Sequence, residues 1–203
     1  IDAIKNLNDL QKYLLEATRL GDNSFYGWRA GADMKNSNMN AVYLGGPDLG
    51  LGRDYYQKVN DANTKTLGQY QTYIGKLFGV LGYKNSAQAA QNVVDFEKQL
   101  ANYLLTLEQN RDANLRYNPK NVSELSGLVK NVDLAKYLKE AGVNTDRVII
   151  GELKYYQNMD QFITQKNLAL LKDYLKYHLI NGNASNLDAV SYTHLTLPTK
   201  RIV

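Results

Sequence analysis

Few residues of this 203-residue sequence are suited to hydrolytic or metal chemistry. It has no cysteine and only two histidines, His178 and His194, which lie far apart. A catalytic zinc site needs three protein ligands and an open position for water. Neither histidine stands in a His-Glu-x-x-His pattern, and no carboxylate lies one helical turn from His178. We therefore predict no metal site in this chain, and we interpret His178 as a core or boundary residue of a helix.

Several carboxylates could act as general acids or bases. They are Asp54, Asp95, Glu97, Glu108 and Asp112. Lys98 and Arg111 stand close by in sequence as charge partners. Solvated helix faces explain all five carboxylates, so we assign no catalytic residue among them.

The glycine-rich run from Gly45 to Gly52 superficially resembles a loop that binds phosphate. Such a loop needs backbone amides aimed at the phosphate between a strand and a helix. Here Pro47 removes one amide, Asp48 repels an anion, and no Lys-Ser or Lys-Thr pair follows. We interpret the run as a turn that redirects the chain. The sequence also has no Gly-x-Ser-x-Gly motif, so serine hydrolase chemistry is not indicated.

The N-terminal elements are predicted from apolar spacing. Apolar residues recur at helical spacing from Ile4 to Leu20, and Gly21 ends that helix. Strands near 26–34 and 39–44 then predict a β-hairpin closed by an Asn-rich turn at residues 35–38. The Gly45-Gly46-Pro47 sequence ends the second strand.

Two apolar stripes predict a helical hairpin after the β-hairpin. The first stripe runs from Leu67 to Leu81 and ends at Gly82. The second runs from Val93 to Leu107, with Ser86 as its N-cap. Because few residues join the two helices, we expect them to pack antiparallel.

The remaining chain predicts short helices near 123–125 and 133–141 after the Asn118-Pro119 break. We interpret Val148-Ile149-Ile150 as a linker strand rather than the centre of a sheet. A last helix carries Leu168, Leu171, Leu175 and Leu179 and ends near Asn181-Gly182. The predicted fold class is therefore mainly α, a multi-helix lobe with one small β-hairpin near the N-terminus.

The last residues, 190–203, resemble one reading frame of a translated sequencing adapter. A genuine C-terminal strand is the competing interpretation, since Leu195-Thr-Leu-Pro alternates as a strand does. We exclude this tail from the fold prediction. Its removal takes away His194, Lys200 and Arg201, and lowers the formal net charge from +4 to +2.

Composition indicates an ordinary folded protein, with 22% charged and 44% hydrophobic residues. Acidic and basic residues are interleaved, which disfavours binding to nucleic acid or to an anionic membrane. The 16 tyrosines mostly lie at helical spacing, so we expect them to be half-buried with their hydroxyls reaching water. No apolar run approaches the length of a membrane span, and no signal peptide is recognisable.

Two segments resemble the neprilysin-like zinc metalloendopeptidases, a family that includes endothelin-converting enzyme and the bacterial oligopeptidase O. They are Asp33-Met-Lys-Asn-Ser-Asn-Met-Asn40 and Pro47-Asp-Leu-Gly-Leu-Gly-Arg-Asp-Tyr-Tyr56. The segment from Asn110 to Leu125, and Val148 to Leu153 before the final helix, follow the order of that family. The likeness covers most of residues 1–189.

The resemblance implies that residues 1–189 are part of the N-terminal helical domain, which encloses the substrate and limits its access. The implied partners are a C-terminal thermolysin-like catalytic domain, missing here, and oligopeptide substrates; the implied cofactor of the full-length enzyme is zinc. The zinc-binding helix, the downstream Glu ligand and the substrate strand of the family have no matching positions, so the chain is expected to be inactive alone.

The absence of cysteine favours the bacterial branch and a cytoplasmic location, with an extracellular or cell-surface location as the alternative. A standalone helical module that binds peptides or a protein is the other interpretation of the chain.

Overall fold

Residues 1–183 are described by a computed structural model and are mainly helical, which confirms the predicted fold class. The α-helices are α1 (Leu7–Arg19), α2 (Arg53–Gln57), α3 (Asp61–Val80), α4 (Ser86–Ala101), α5 (Ala113–Arg116), α6 (Leu125–Leu128), α7 (Leu134–Glu140), α8 (Leu153–Phe162) and α9 (Leu168–Gly182). The strands are β1 (Trp28–Asp33), β2 (Asn36–Leu44), β3 (Asn118–Asn121) and β4 (Arg147–Ile150). Short 3₁₀ helices span Gln109–Arg111, Val122–Glu124 and Gln165–Asn167. The proposed adapter tail, 190–203, lies outside the described residues.

The described chain divides into two compact units. The first unit comprises Ile1–Leu49 and Tyr103–Leu168 and contains all four strands. The second unit comprises Gly50–Asn102 and the chain from Ala169 onward, and it contains α2, α3, α4 and most of α9. In the described part of the chain, no helix is long and apolar enough to cross a membrane.

The sheet of the first unit has the strand order β1-β2-β4-β3. The β1–β2 hairpin is antiparallel, as predicted, and β3 also pairs antiparallel with β4. The pairing of β2 with β4 is parallel, with Val42 opposite Val148 and Leu44 opposite Ile150. Interpreting Val148-Ile149-Ile150 as a linker was therefore wrong. The side chains of all three residues have no solvent exposure, as expected for β-branched residues at the centre of a sheet.

The tip of the hairpin differs from the predicted Asn-rich turn. The turn residues are Met34 and Lys35, and Asp33 pairs with Asn36 across them. Asp33 supplies the closing contact, because its Oδ1 accepts a hydrogen bond from the Lys35 amide at 2.9 Å. An Asp side chain that bonds to the backbone two residues later stabilises a turn without requiring asparagine in it. The asparagines at 36 and 38 lie in β2 instead.

The long helices α1, α3, α4 and α9 occur where the sequence predicts helices, whereas α2, α5 and α8 were not predicted. Gly21 and Gly82 follow α1 and α3 with φ of 89° and 77°, a backbone conformation that glycine adopts without strain. Helix α3 packs against α4, as predicted for the helical hairpin. Two details were wrong: Ser86 is the first helical residue, with Asn85 at the N-cap position, and α4 ends at Ala101, before the end of the predicted stripe.

The tyrosines are more deeply buried than predicted. Six of them have almost no exposed surface: Tyr70, Tyr137, Tyr155, Tyr156, Tyr174 and Tyr177. In the first unit, the Tyr155 hydroxyl donates to the carbonyl oxygen of Phe25 at 2.7 Å. The hydroxyl of Tyr156 donates to the carbonyl oxygen of Gly45. Protein acceptors replace the water that we expected at these hydroxyls, so the tyrosines connect helices to loops inside the core.

Candidate functional site

A pocket of about 320 Å³ lies in the first unit where β2 and β4 end. Leu44 and Gly45 form its wall at the end of β2, and Gly151 and Glu152 form the wall at the end of β4. Because β2 and β4 are parallel, their carboxyl ends meet at one edge of the sheet. The crevice at such an edge is a common place for ligands to bind. A pocket of this size fits a small group or one part of a longer ligand.

Polar side chains of both signs line this pocket. Arg29, from β1, is exposed, and its guanidinium lies over the Tyr43 ring at 4.4 Å from the ring centre. Glu152, at the start of α8, is 7% exposed, and its Oε2 accepts a hydrogen bond from the Leu105 amide at 2.8 Å. Arg116, the last residue of α5, contributes a second guanidinium.

Two buried polar atoms at this pocket have no protein partner. They are Nε of Arg116 and Oδ1 of Asn23. A buried donor or acceptor without a hydrogen bond costs about 1–3 kcal/mol. Both atoms have almost no solvent-accessible surface, so they are enclosed by the protein and do not face the open space of the pocket.

The second unit contains a buried cluster around Glu97, a residue of α4 with no exposed surface. Its carboxylate accepts hydrogen bonds from the hydroxyls of Tyr56 at 2.7 Å and Tyr70 at 2.9 Å, and from the Gly50 amide at 3.1 Å. Nε2 of His178 lies 2.9 Å from Oε1. Because an ionised carboxylate only accepts, His178 donates through Nε2 in this pair. Burial and the Glu97 charge both raise the pKa of Tyr56 and of Tyr70, so these tyrosines remain hydroxyl donors.

A third buried carboxylate, Asp33, holds the hairpin to β4 in the first unit. Its Oδ2 accepts from Arg147 Nη2 at 2.5 Å and from the Tyr117 hydroxyl at 3.1 Å. The bond from the Lys35 amide, followed by those from Arg147 and Tyr117, lowers the pKa of Asp33 against the opposing effect of burial. The same pairing raises the pKa of Arg147. All these groups belong to the scaffold of the sheet.

The structure gives some of the candidate carboxylates a different environment from the solvated helix faces that the sequence predicted. Asp95 is solvated as expected, with its side chain 57% exposed and 3.9 Å from Lys98. Glu97 was wrongly assigned to a solvated face. It lies between Val93 and Leu100 on the apolar stripe of α4, and that position was a signal of burial. Glu108 and Asp112 are exposed but share no helix face, because they flank a single 3₁₀ turn.

The remaining candidates are Asp54, His178 and the glycine-rich run. Asp54 lies in the first turn of α2 and is half-buried. His178, 9% exposed at its side chain, is a core residue, as predicted, but it has a carboxylate partner, Glu97, that was not predicted. Its carboxylate partner comes from another helix, which spacing along one helix could not reveal. The run from Gly45 to Gly52 is irregular backbone, and its amides bond within the protein: Gly45 donates to Gly27 and Asp48 to Ser24.

Among residues 1–183, no group of three or more His, Cys, Asp or Glu side chains is arranged to hold a metal ion. The pair Glu97 and His178 offers two ligand types, but hydroxyl and amide donors surround it and the carboxylate has no exposed surface. A catalytic zinc ion needs a third protein ligand and an open position. The residues of this cluster therefore do not fit a zinc site.

Comparison with known proteins gives one consistent result. The model of the N-terminal part of peptidase family M13 matches residues 1–193. The chain is 30% identical over 174 residues to endothelin-converting enzyme 1 of Cavia porcellus, and the alignment covers 81% of this chain and 23% of that enzyme. It is 29% identical over 180 residues to neprilysin-3 of Drosophila melanogaster, with the same coverage of both proteins. The chain thus spans about a quarter of the length of these relatives.

Solved structures share the fold. A Mycobacterium tuberculosis zinc metalloprotease in complex with an inhibitor matches with a TM-score of 0.86 at 21% identity, over 96% of this chain and 30% of that chain. PepO from Lactobacillus rhamnosis matches with a TM-score of 0.76 at 16% identity, over 93% of this chain and 31% of that chain. At these identities the likeness concerns the fold alone.

Proposed function

Since the chain belongs to peptidase family M13, we propose that it is part of the N-terminal domain of a zinc metalloendopeptidase that cleaves oligopeptides. The single observation that supports this most is the match of the family model along residues 1–193. The proposed role of this part is to enclose the substrate and limit its access to a zinc site carried by the rest of the enzyme.

Two observations support placing catalysis in the rest of the enzyme: the share of its relatives that this chain covers, and the chemistry of the described residues. The chain corresponds to 23% of the relatives named above, so most of such an enzyme lies outside it. Its buried polar clusters, around Glu97 and Asp33, hold secondary-structure elements together and leave no acid, base or metal ligand poised for hydrolysis. We therefore propose that the chain alone is inactive, and that its partner is a thermolysin-like catalytic domain of the same protein.

Enclosure of the substrate has a physical purpose. A domain that closes over the reaction excludes water and restricts entry to chains narrow enough to pass. The proposed substrates are accordingly short or unfolded peptides. Nucleic acid is not among the proposed partners. From the lack of cysteine we also propose a bacterial, cytoplasmic enzyme.

The parent enzyme and the isolated chain test this proposal together. A quenched fluorescent decapeptide should be cleaved by the parent, cleavage should stop with a zinc chelator, and added Zn²⁺ should restore it. The same peptide sequence inside a folded loop should resist cleavage. The isolated chain should neither cleave the peptide nor bind stoichiometric zinc by elemental analysis. Hydrolysis by the isolated chain, or cleavage by the parent that the chelator leaves unchanged, would contradict the proposal.

A further inference from the structure

The pocket at the carboxyl ends of β2 and β4 has the composition of a binding site for an anion of low charge. Two guanidinium groups, of Arg29 and Arg116, line it together with one carboxylate, of Glu152. Arg116 is only partly buried, so its side chain keeps accessible surface. Guanidinium groups present paired donors that match the two oxygens of a carboxylate. From this arrangement we propose that the pocket binds a carboxylate carried by a peptide.

The charge balance of the pocket favours a carboxylate over a phosphate. Two positive groups and one negative group leave a single excess positive charge, which suits a monoanion. A phosphate dianion would also be repelled by Glu152, which is almost fully buried and held in place by the Leu105 amide. Arg29 retains donors for this purpose, because stacking on Tyr43 occupies the face of its guanidinium and not the N–H groups at its edge.

The surroundings of the pocket favour a peptide over a free organic acid. The lining combines the charged groups with Trp28, Tyr43 and Leu44, which suits an amide chain with apolar parts. Asn23 adds a partly buried amide side chain to the lining. Trp28 is also the first residue of β1, which lies at the open edge of the sheet.

Backbone groups of β1 are available for such a peptide. The Gly45 amide donates to the Gly27 carbonyl at 3.0 Å, so these two residues form a hydrogen-bonded pair of the hairpin. Antiparallel pairs alternate, and the backbone groups of Trp28 and Ala30 therefore point away from β2. An extended peptide can pair with this edge by adding a strand.

The only tryptophan of the sequence, Trp28, makes binding directly measurable. Its emission, excited selectively over tyrosine, would be followed while the full chain is titrated with three peptides. The first is N-acetyl-Ala-Ala-Ala with a free C-terminal carboxylate, and the second is its C-terminal amide. The third is N-acetyl-Ala-Glu-Ala amide, which carries its carboxylate on a side chain. We expect a saturable change with at least one carboxylate peptide and about tenfold or more weaker binding of the neutral amide. The stronger of the two carboxylate peptides then identifies the source of the carboxylate.

Arg116→Gln and Arg111→Gln form a matched pair of variants. Both remove one positive charge, but Arg111 is exposed and does not line the pocket. Arg116→Gln should weaken carboxylate binding about tenfold or more, while Arg111→Gln should leave it unchanged. If Arg116→Gln fails to fold, Gly151→Ala replaces it. The nearest atom to a Cβ at this pocket residue is 3.9 Å away, so the fold accepts the methyl group while the pocket becomes smaller and binding weakens.

Three results would overturn the inference: no saturable change with either carboxylate peptide, equal affinity for the acid and the amide, or equal effects of the two arginine variants. The choice of peptides rests on the proposed peptidase function, but the fluorescence assay needs neither zinc nor cleavage. A parent enzyme that is insensitive to chelators would refute the proposed function. Peptide binding to the pocket would still be measured independently by the change in Trp28 fluorescence.

Discussion

The buried Glu97 carboxylate is expected to stabilise the second unit, and the substitution Glu97→Gln tests this without changing the size of the side chain. In the native protein Glu97 receives bonds from Tyr56, Tyr70, the Gly50 amide and His178, all between 2.7 and 3.1 Å. Glutamine keeps one acceptor oxygen and places an NH₂ donor where the second carboxylate oxygen was. Each bond that loses its charge assistance weakens by about 1 kcal/mol. Relief from burying a charge offsets part of this loss. We therefore expect Glu97→Gln to destabilise the unit by about 2–3 kcal/mol.

Hydrogen exchange followed by mass spectrometry measures this effect within the unit that contains Glu97. Amides of α4 and α9 should exchange roughly 30- to 150-fold faster in Glu97→Gln, the factor that corresponds to 2–3 kcal/mol. Asp95→Asn is the matched control, because it neutralises an exposed carboxylate two residues away on the same helix. We expect it to change stability by no more than about 0.5 kcal/mol. Equal exchange rates in the two variants would refute the interpretation of Glu97 as the centre of a stabilising network.

Three further substitutions test packing and charge. Gly50→Ala should destabilise the second unit, because a Cβ there would lie 1.7 Å from the Tyr70 hydroxyl oxygen. Gly68→Ala, in an exposed position of α3 with no atom within 4 Å of the added Cβ, should instead raise stability by about 0.5–1 kcal/mol. Thermal melts of the two variants measure both changes in stability. Asp33→Asn should lower the melting temperature in a pH-dependent way. Because the native pKa of Asp33 is depressed, its contribution is complete above its unfolded pKa of about 4 and is lost as the pH falls through the native value. The difference in melting temperature between the wild type and Asp33→Asn should be constant above about pH 5 and shrink in acid; a difference that does not depend on pH would exclude the carboxylate charge as its origin.

Local patterns predicted the long helices α1, α3, α4 and α9, because helix bounds depend on neighbours in sequence. Helix α8 was missed, although Tyr155, Met159 and Phe162 are buried on it at helical spacing. The apolar stripe before Gly21 and the glycine stop at Gly82 both appear where the sequence predicts them. The sheet was predicted less completely. The partner of β2 is β4, and the long chain between them includes parts of both units. A run of only Val148, Ile149 and Ile150 carries no information about so distant a partner.

The polar sites were harder to predict for the same reason. Glu97 meets Tyr56, Tyr70 and His178, which lie on three other helices, so no spacing along one element reveals the cluster. Its position on an apolar stripe indicated burial, although Glu97 was assigned to a solvated face, and a buried carboxylate requires donors from elsewhere. The pocket that contains Arg29 and Arg116 is harder still, since a β-strand and the end of a four-residue helix bring these residues together.

The motif that carries the strongest family resemblance acts on the scaffold in the described structure. Asp33 closes the hairpin turn through the Lys35 amide and joins it to β4 through Arg147. Lys35 in turn lies over the Tyr117 ring, with its Nζ 4.8 Å from the ring centre. A segment with several simultaneous partners tolerates few substitutions, since each change breaks more than one contact. Such a segment identifies the fold through its contacts, and this is why the chain reveals its family more clearly than its own role.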